Sequence, residues 1–172
     1  MADTSVARVP LGAPTSNRKW FLDIDSAFVG DETDPPAWIG VFGIMEFQNT
    51  QDPSLQDVSD FESGGWKSQA VMGLAWTAVP KLKRASLASD RTKYDPGQEI
   101  LRKASLKVGI ENLVRIRFYE MEPNGPRVEA YQGLAVSGWS PDGGAMDAAS
   151  TVTSTLTGYG RLEEITHPAS AE

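Results

Sequence analysis

The stretch from Ser63 to Ser68, "SGGWKS", is the first place where residue type and spacing suggest chemistry, because a phosphate-binding loop ends in Gly-Lys-Ser/Thr. In such a loop a further glycine stands five positions before the last one, and a helix follows that receives the phosphate at its N-terminus. Here Trp66 replaces the last glycine, Phe61 occupies the place of the first, and the following "QAVMGLAWTAV" is patterned as a strand. The glycine pair therefore serves something other than a nucleotide. Asp23 and Asp25 flank Ile24, so a strand would turn both carboxylates to one face in the manner of a glycosidase pair, but no sequence feature indicates the cleft such chemistry needs. Asp52, Asp57, Asp60 and Glu62 crowd one segment without the spacing of an EF-hand, and a solvated acidic loop is the expectation. The "PDGGAMD" segment reads as a turn. His167, just before Pro168 and with no cysteine in the chain to join it, is expected on the surface. Arg115, Arg117 and Tyr119 share one strand face, which fits a solvent or interface side better than a nucleic-acid platform. No residue is assigned a catalytic, cofactor-binding or metal-binding role.

The elements that would position these residues are mostly strands. Residues 1–17, with Pro10, Gly12 and Pro14, read as an extended arm. Strand signals begin at "KWFLDIDSA", and "AWIGVFGIMEF" is apolar on both faces, as a buried or interface strand would be. Residues 48–65 then form a long polar segment, expected as a loop. From Trp66 the pattern predicts a half-buried strand, with Trp66, Ala70, Met72, Leu74 and Trp76 on one face and Lys67, Gln69, Gly73 and Thr77 on the other. One helix is expected over 95–109. Asp95 can cap it with Gln98 returning at N3, Pro96 suits N1, Gly109 suits C′, and Ile100, Leu101, Ala104 and Val108 make its apolar stripe. "LVRIRFYEM" and "VEAYQGLAVSGW" pair through an "EPNGPR" turn. In "TVTSTLTGYG", Thr151, Thr153, Thr155 and Thr157 share a polar face opposite Val152 and Leu156. The fold class is mainly β, an antiparallel sandwich or barrel with one flanking α-helix.

Bulk properties narrow the function. The 172 residues contain 16 glycines and 11 prolines but no cysteine, which excludes disulfides, thiolate nucleophiles and cysteine metal sites. A net charge of −7 opposes tight binding to a phosphate backbone. Residues 1–20 lack a continuous apolar segment and no internal run is long enough to span a bilayer, so neither an export signal nor a membrane segment is expected. Five tryptophans, several beside glycine in "WIGVFG", "GGWKS" and "SGWSPDGG", suggest close packing against neighbouring chains.

The order of these segments, from Trp20 to Pro168, resembles the major tail tube protein of long, non-contractile bacteriophage tails, in the branch common among phages of actinobacteria. The resemblance lies in the "QDVSDFESGGWKS" loop end, the "YDPGQE" helix start, the "GGAMDAASTVTSTLTGYG" strand and the final "HP". It implies a tail tube β-sandwich over 18–168, an arm over 1–17 and a short tail over 169–172. It also implies a non-enzymatic virion component, made in the host cytoplasm, that forms hexameric rings stacked into a conduit for genome passage. Each subunit of that family lends strands to a continuous lumen wall. About 24 strands spaced roughly 4.8 Å and tilted near 45° give a diameter of about 50 Å, enough for duplex DNA.

The implied partners are the protein itself, the tape measure protein and the tail terminator and tip proteins, with DNA passing unbound and no membrane or cofactor involved. Asp52, Asp57, Asp60, Phe61, Glu62, Gly64, Gly65 and Trp66 would form an inter-ring loop, in which the glycines turn the chain back into the wall and Trp66 anchors it. Lys67, Gln69, Thr77, Thr151, Thr153 and Thr155 would face the lumen. The alternatives are a tail terminator or capsid decoration protein, or a β-sandwich enzyme or carbohydrate-binding module.

Overall fold

The computed structural model describes residues 9–30, 35–62 and 64–170. Its elements are strands β1 (Trp20–Asp25), β2 (Trp38–Gly40), β3 (Ile44–Asp57) and β4 (Gln69–Lys83), helix α1 (Pro96–Ala104), then β5 (Leu113–Glu120), β6 (Ala130–Pro141) and β7 (Thr151–Glu164). Short 3-10 turns stand at Asn17–Lys19, Gly109–Asn112 and Pro168–Ser170. All seven strands join one antiparallel sheet in the order β2-β1-β5-β6-β7-β4-β3.

That sheet rolls onto itself. Trp20 of β1 stacks on Phe47 of β3 at 5.6 Å between ring centres, although the two strands lie near opposite edges. Leu22, Ile24, Ile116 and Phe118 from one half thereby meet Ala78, Leu82, Ala135 and Leu156 from the other in a single core. Phe118 is its centre, with the rings of Trp20, Phe47, Trp76 and Tyr131 at 5.5–6.5 Å. Along the contributing strands the core residues recur at every second position, Leu22 and Ile24, Val114, Ile116 and Phe118, Trp76 and Ala78, the spacing a sheet with one face on the core requires.

Helix α1 packs chiefly on β6 and buries Leu101 and Ala104. Asp95 accepts the Gln98 N–H at 3.0 Å as its N-cap, and Pro96 opens the first turn. Gln98 does not return to complete a capping box. Its amide donates instead to the carbonyls of Phe42 at 2.7 Å and Lys83 at 3.1 Å, tying the helix to the start of β3 and the end of β4. The helix stops at Ala104, short of the expected Gly109, because the N–H groups of Leu106 and Lys107 bond only three residues back. Val108 consequently leaves the stripe and is 88% exposed.

Several expectations are corrected. Residues 48–57 are not loop: β3 runs through them, paired to β4 as far as Asp57↔Gln69, so the connection shrinks to residues 58–68. Polar composition concealed a strand that no core covers. Trp66 and Lys67 precede β4 rather than lying in it, and Met72 and Leu74 are exposed, so only from Trp76 onward is β4 half-buried. The run "AWIGVFGIMEF" breaks at residues 41–43 into β2 and β3. Within the arm, residues 9–16 form neither helix nor strand, and residues 1–8 lie outside the described residues, as do 171–172 of the tail. His167 is not on the surface. It is 5% exposed, its Nδ1 accepts the Ala169 N–H at 3.1 Å, and its Nε2 lies 2.7 Å from the Glu120 carbonyl, to which it donates.

Candidate functional site

The residues that could have done chemistry are already engaged. Asp23 takes the Arg117 Nε–H at 2.8 Å and the Tyr119 hydroxyl at 3.2 Å, while Asp25 pairs with Arg115 at 3.4 Å and accepts the N–H groups of Ala27 and Ala37. Arg117 also lies over the Trp38 ring at 4.6 Å. The expected platform of Arg115, Arg117 and Tyr119 is thus half of an ion-paired layer between β1 and β5. Asp57 accepts both the N–H and the hydroxyl of Ser59, which hold its carboxyl below the usual range and shape the turn leaving β3. Among the described residues, no three His, Cys, Asp or Glu side chains gather as a metal site. Among the same residues, no helix is long and apolar enough to cross a membrane.

What remains is surface. Beyond the pairs Gln51↔Trp76 and Thr77↔Thr157, β4 has only β3 as a neighbour, and the two strands leave the sheet as a ribbon. Residues 51–57 give it a length of about 20 Å before the tip. Leu55, Val71, Met72 and Leu74 are exposed along it, and Phe61 and Trp66 are exposed at the tip. A two-stranded hairpin in water is marginal alone, and clustered exposed apolar side chains mark an interaction surface. The tip closes by backbone and side-chain bonds: the Val58 N–H donates to the Ser68 carbonyl at 2.8 Å, and the Ser68 N–H donates to the Ser59 hydroxyl at 2.8 Å. Gly64 and Gly65 have φ of +61° and +85°, a left-handed pair that residues with a Cβ rarely adopt. The glycine pair serves the turn at the ribbon's end.

The convex face of β6, β7, β4 and β3 is the second surface. Cross-strand registers line up Thr50, Thr77 and Thr157 in one row, and Glu46, Lys81, Thr153 and Ser140 in another. The hydroxyls of Thr151 and Thr153 donate to Asp142 at 2.8 and 3.0 Å, with Lys81 at 3.8 Å. The Thr151 bond is the main reason that the Asp142 carboxyl sits below its ordinary range. Charges of both signs are interspersed here, Lys81 and Lys83 with Glu46, Asp52 and Asp142, and Lys81 faces Asp142.

Of the residues assigned to the lumen, Thr77, Thr151, Thr153 and Thr155 lie together on this face, whereas Lys67 is in the connection and Gln69 begins the ribbon. Of those assigned to the inter-ring loop, Asp60, Phe61, Glu62, Gly64, Gly65 and Trp66 lie in the tip, but Asp52 and Asp57 belong to β3. The ribbon's apolar flank is not evident from the sequence, because Met72 and Leu74 fit the buried face of a half-buried strand and Leu55 falls in the polar run of residues 48–65. Pro53 within the polar run was the available signal, since proline in a strand marks an edge.

No family model matches the sequence, and no curated protein matches it either. Among solved structures, a chain of the SPP1 tail tube superposes with a TM-score of 0.61 at 10% identity, covering 92% of this chain and 84% of that one. A chain from the virion of a native gene transfer agent particle gives 0.60 at 11% identity, covering 89% of this chain and all of its own length. A chain from the tail of an empty gene transfer agent particle, a structure with C6 symmetry, gives 0.55 at 13% identity. At such identities the likeness is one of fold, and the rolled antiparallel sheet with its single helix is the fold of the SPP1 tail tube chain.

Proposed function

We propose that this protein is the structural subunit of a bacteriophage tail tube, forming hexameric rings that stack into a hollow conduit for the genome. The ribbon carries this reading. It projects from the sheet with apolar side chains on a segment that no part of the described chain covers, as an element built to lie on another copy does. The convex threonine face supplies a wall that is polar and nearly uncharged, suited to a duplex sliding past. The fold shared with tail structures supports the same assembly, and nothing in the ion-paired Asp and Arg layer calls for a substrate. The tape measure protein within the bore, and terminator and tip proteins at the tube's ends, are the further partners of this reading.

Electron microscopy of the purified protein, concentrated or seeded with tube fragments, tests it. Open-ended tubes of uniform diameter are expected. Discrete rings or monomers at every concentration would point to a terminator or decoration protein instead.

A further inference from the structure

The ribbon has an open edge on its β4 side, and the segment ahead of β1 has the pattern of a strand that could fill it. In an antiparallel ladder, alternate residues turn both N–H and C=O toward one neighbour and the intervening residues turn theirs away. Proline has no N–H, so a paired proline and the residue opposite it turn away from each other. The pairs Pro53↔Leu74 and Phe47↔Pro80 therefore turn Leu74 and Pro80 away from β3, and Trp76 between them as well. Beyond the register shift at Ser54/Leu55, the Val58 N–H donates to the Ser68 carbonyl, which gives residues 68 and 70 to β3 and turns Gln69 and Val71 outward.

Trp76 meets the end of β7, and past it the outward row is Leu74, Val71 and Gln69. This row contains no proline, and among the described residues no other backbone segment bonds to it. The outward row of β3 along the ribbon is broken at Pro53. Residues of one strand that turn their backbone the same way also share a face, so Leu74 and Val71 stand on the face of Trp76, and both are exposed. A groove lined by Leu74, Trp76, Tyr131, Arg161, Leu162 and Glu164 opens beside them.

Residues 9–15 read "VPLGAPT". Pro10 and Pro14 fall on one parity with Gly12, and Val9, Leu11, Ala13 and Thr15 fall on the other. An extended arm therefore keeps every donor on one side and is blocked on the opposite one, as befits a strand that pairs once and ends a sheet. The paired row is also the one that carries large apolar side chains. Val9 is 85% and Leu11 98% exposed, and among the described residues no backbone hydrogen bond holds 9–15.

We propose that residues 9–15 of one copy add as a third strand to the β4 edge of another copy's ribbon, antiparallel to β4 over residues 69–75. The faces set the direction. Antiparallel addition puts Val9, Leu11 and Ala13 on the side of Leu74 and Val71, whereas parallel addition would put them on the opposite side with Gly73 and Ala75. The two segments are equal in length, and the arm carries no charge to be desolvated. A two-stranded ribbon is marginal in water, and a third strand with a shared apolar face makes it stable. The arm comes from another copy because its own leads into the 3-10 turn at Asn17–Lys19, which lies against β3, across the ribbon from the open edge. The inference rests on the self-assembly proposed above and gives the ribbon's flank a partner separate from that of its tip.

The absence of cysteine makes the test direct. Leu74→Cys is combined in turn with Val9→Cys, Leu11→Cys and Ala13→Cys, three registers of one row, and with Gly12→Cys, which lies between them but faces the other way. Each double variant is assembled reduced, imaged, oxidised and run on a non-reducing gel. One of the first three should give covalent species above the monomer, at least tenfold more abundant than with Gly12→Cys. In the register that links, a proline elsewhere in the paired row, Leu11→Pro or Ala13→Pro, should cut the yield at least tenfold, whereas Gly12→Pro should leave it unchanged. Tubes that link in none of the three registers, link only within the monomer, link equally through Gly12→Cys, or respond equally to the two kinds of proline overturn the arm's placement and leave the tubular function standing. Wild-type protein that never forms tubes overturns both.

Discussion

Trp76 lies across the backbone of Gly158, where an added Cβ would stand 2.4 Å from the indole, and its Nε1–H donates to the Gly160 carbonyl at 3.1 Å. This is where β7 parts from β4, whose shared ladder ends at Thr77↔Thr157. The indole fills the fork between the body of the sheet and the ribbon, so it fixes the angle at which the ribbon departs.

Gly158→Ala is therefore expected to destabilise the folded chain by about 1–3 kcal/mol through overpacking against the buried indole. Trp76→Ala removes the filling and one hydrogen bond and should cost about 3–5 kcal/mol. Denaturant midpoints of the monomer measure both. A neutral Gly158→Ala would show that the fork opens freely and that Trp76 does not set the ribbon's direction.

The ribbon's tip separates folding from assembly. Replacing residues 58–68 with Asn-Gly joins Asp57 to Gln69, which already face each other, by a turn suited to a tight hairpin. Because Phe61 and Trp66 make no core contact, the monomer's melting temperature should move by only a few degrees while tube growth is lost. Elongation at the wild-type rate, followed by light scattering, would remove the tip from the contact between rings.

The helix start, the β5–β6 pair and the threonine strand were legible in the sequence because each follows a local rule: a cap, a turn, an alternation against a core. The ribbon was not, because its strands have no core to alternate against. Residues 48–57 are polar apart from Pro53 and Leu55, and Met72 and Leu74 match a core pattern although what they would pack against is not within the described chain. His167 misled for a related reason, since its bond to Glu120 comes from tertiary placement that its neighbours Thr166 and Pro168 do not announce.

Glu120 gives the fold a pH dependence. Burial pushes its carboxyl up, but the Lys19 ammonium at 2.7 Å and the N–H groups of Val128 and Glu129 outweigh that and hold it at about 2, against an ordinary 4.5. A carboxyl depressed by folding contributes stability that is fully present above its unfolded value and is lost as pH falls through the folded one. Glu120→Gln should thus cost about 2 kcal/mol at pH 7, with solvent at Lys19 trimming the full worth of the shift. The difference from wild type should close between about pH 4.5 and pH 2. Guanidinium midpoints across that range decide it: a gap that stays constant would mean that shape, not charge, is what Glu120 supplies.

The threonine face sets the last expectation. A duplex that met attraction at every ring would cross a series of wells on its way out, and the summed friction would slow its passage. The convex face avoids this in two ways: its lysines are matched by carboxylates, and the Thr151 and Thr153 hydroxyls are turned to Asp142 rather than left free to donate to phosphates. Assembled wild-type tubes are expected not to shift a labelled duplex in a gel at physiological salt. Thr155 is exposed and unengaged on the same face, so Thr155→Lys would place a cationic ring at each level of the bore without disturbing a bond. Those tubes should retain duplex, and the retention should fall steeply as salt rises. Wild-type tubes that bind as strongly as the variant would show an attractive wall and overturn the sliding mechanism, while a variant that assembles but gains no affinity would show that this face does not line the bore.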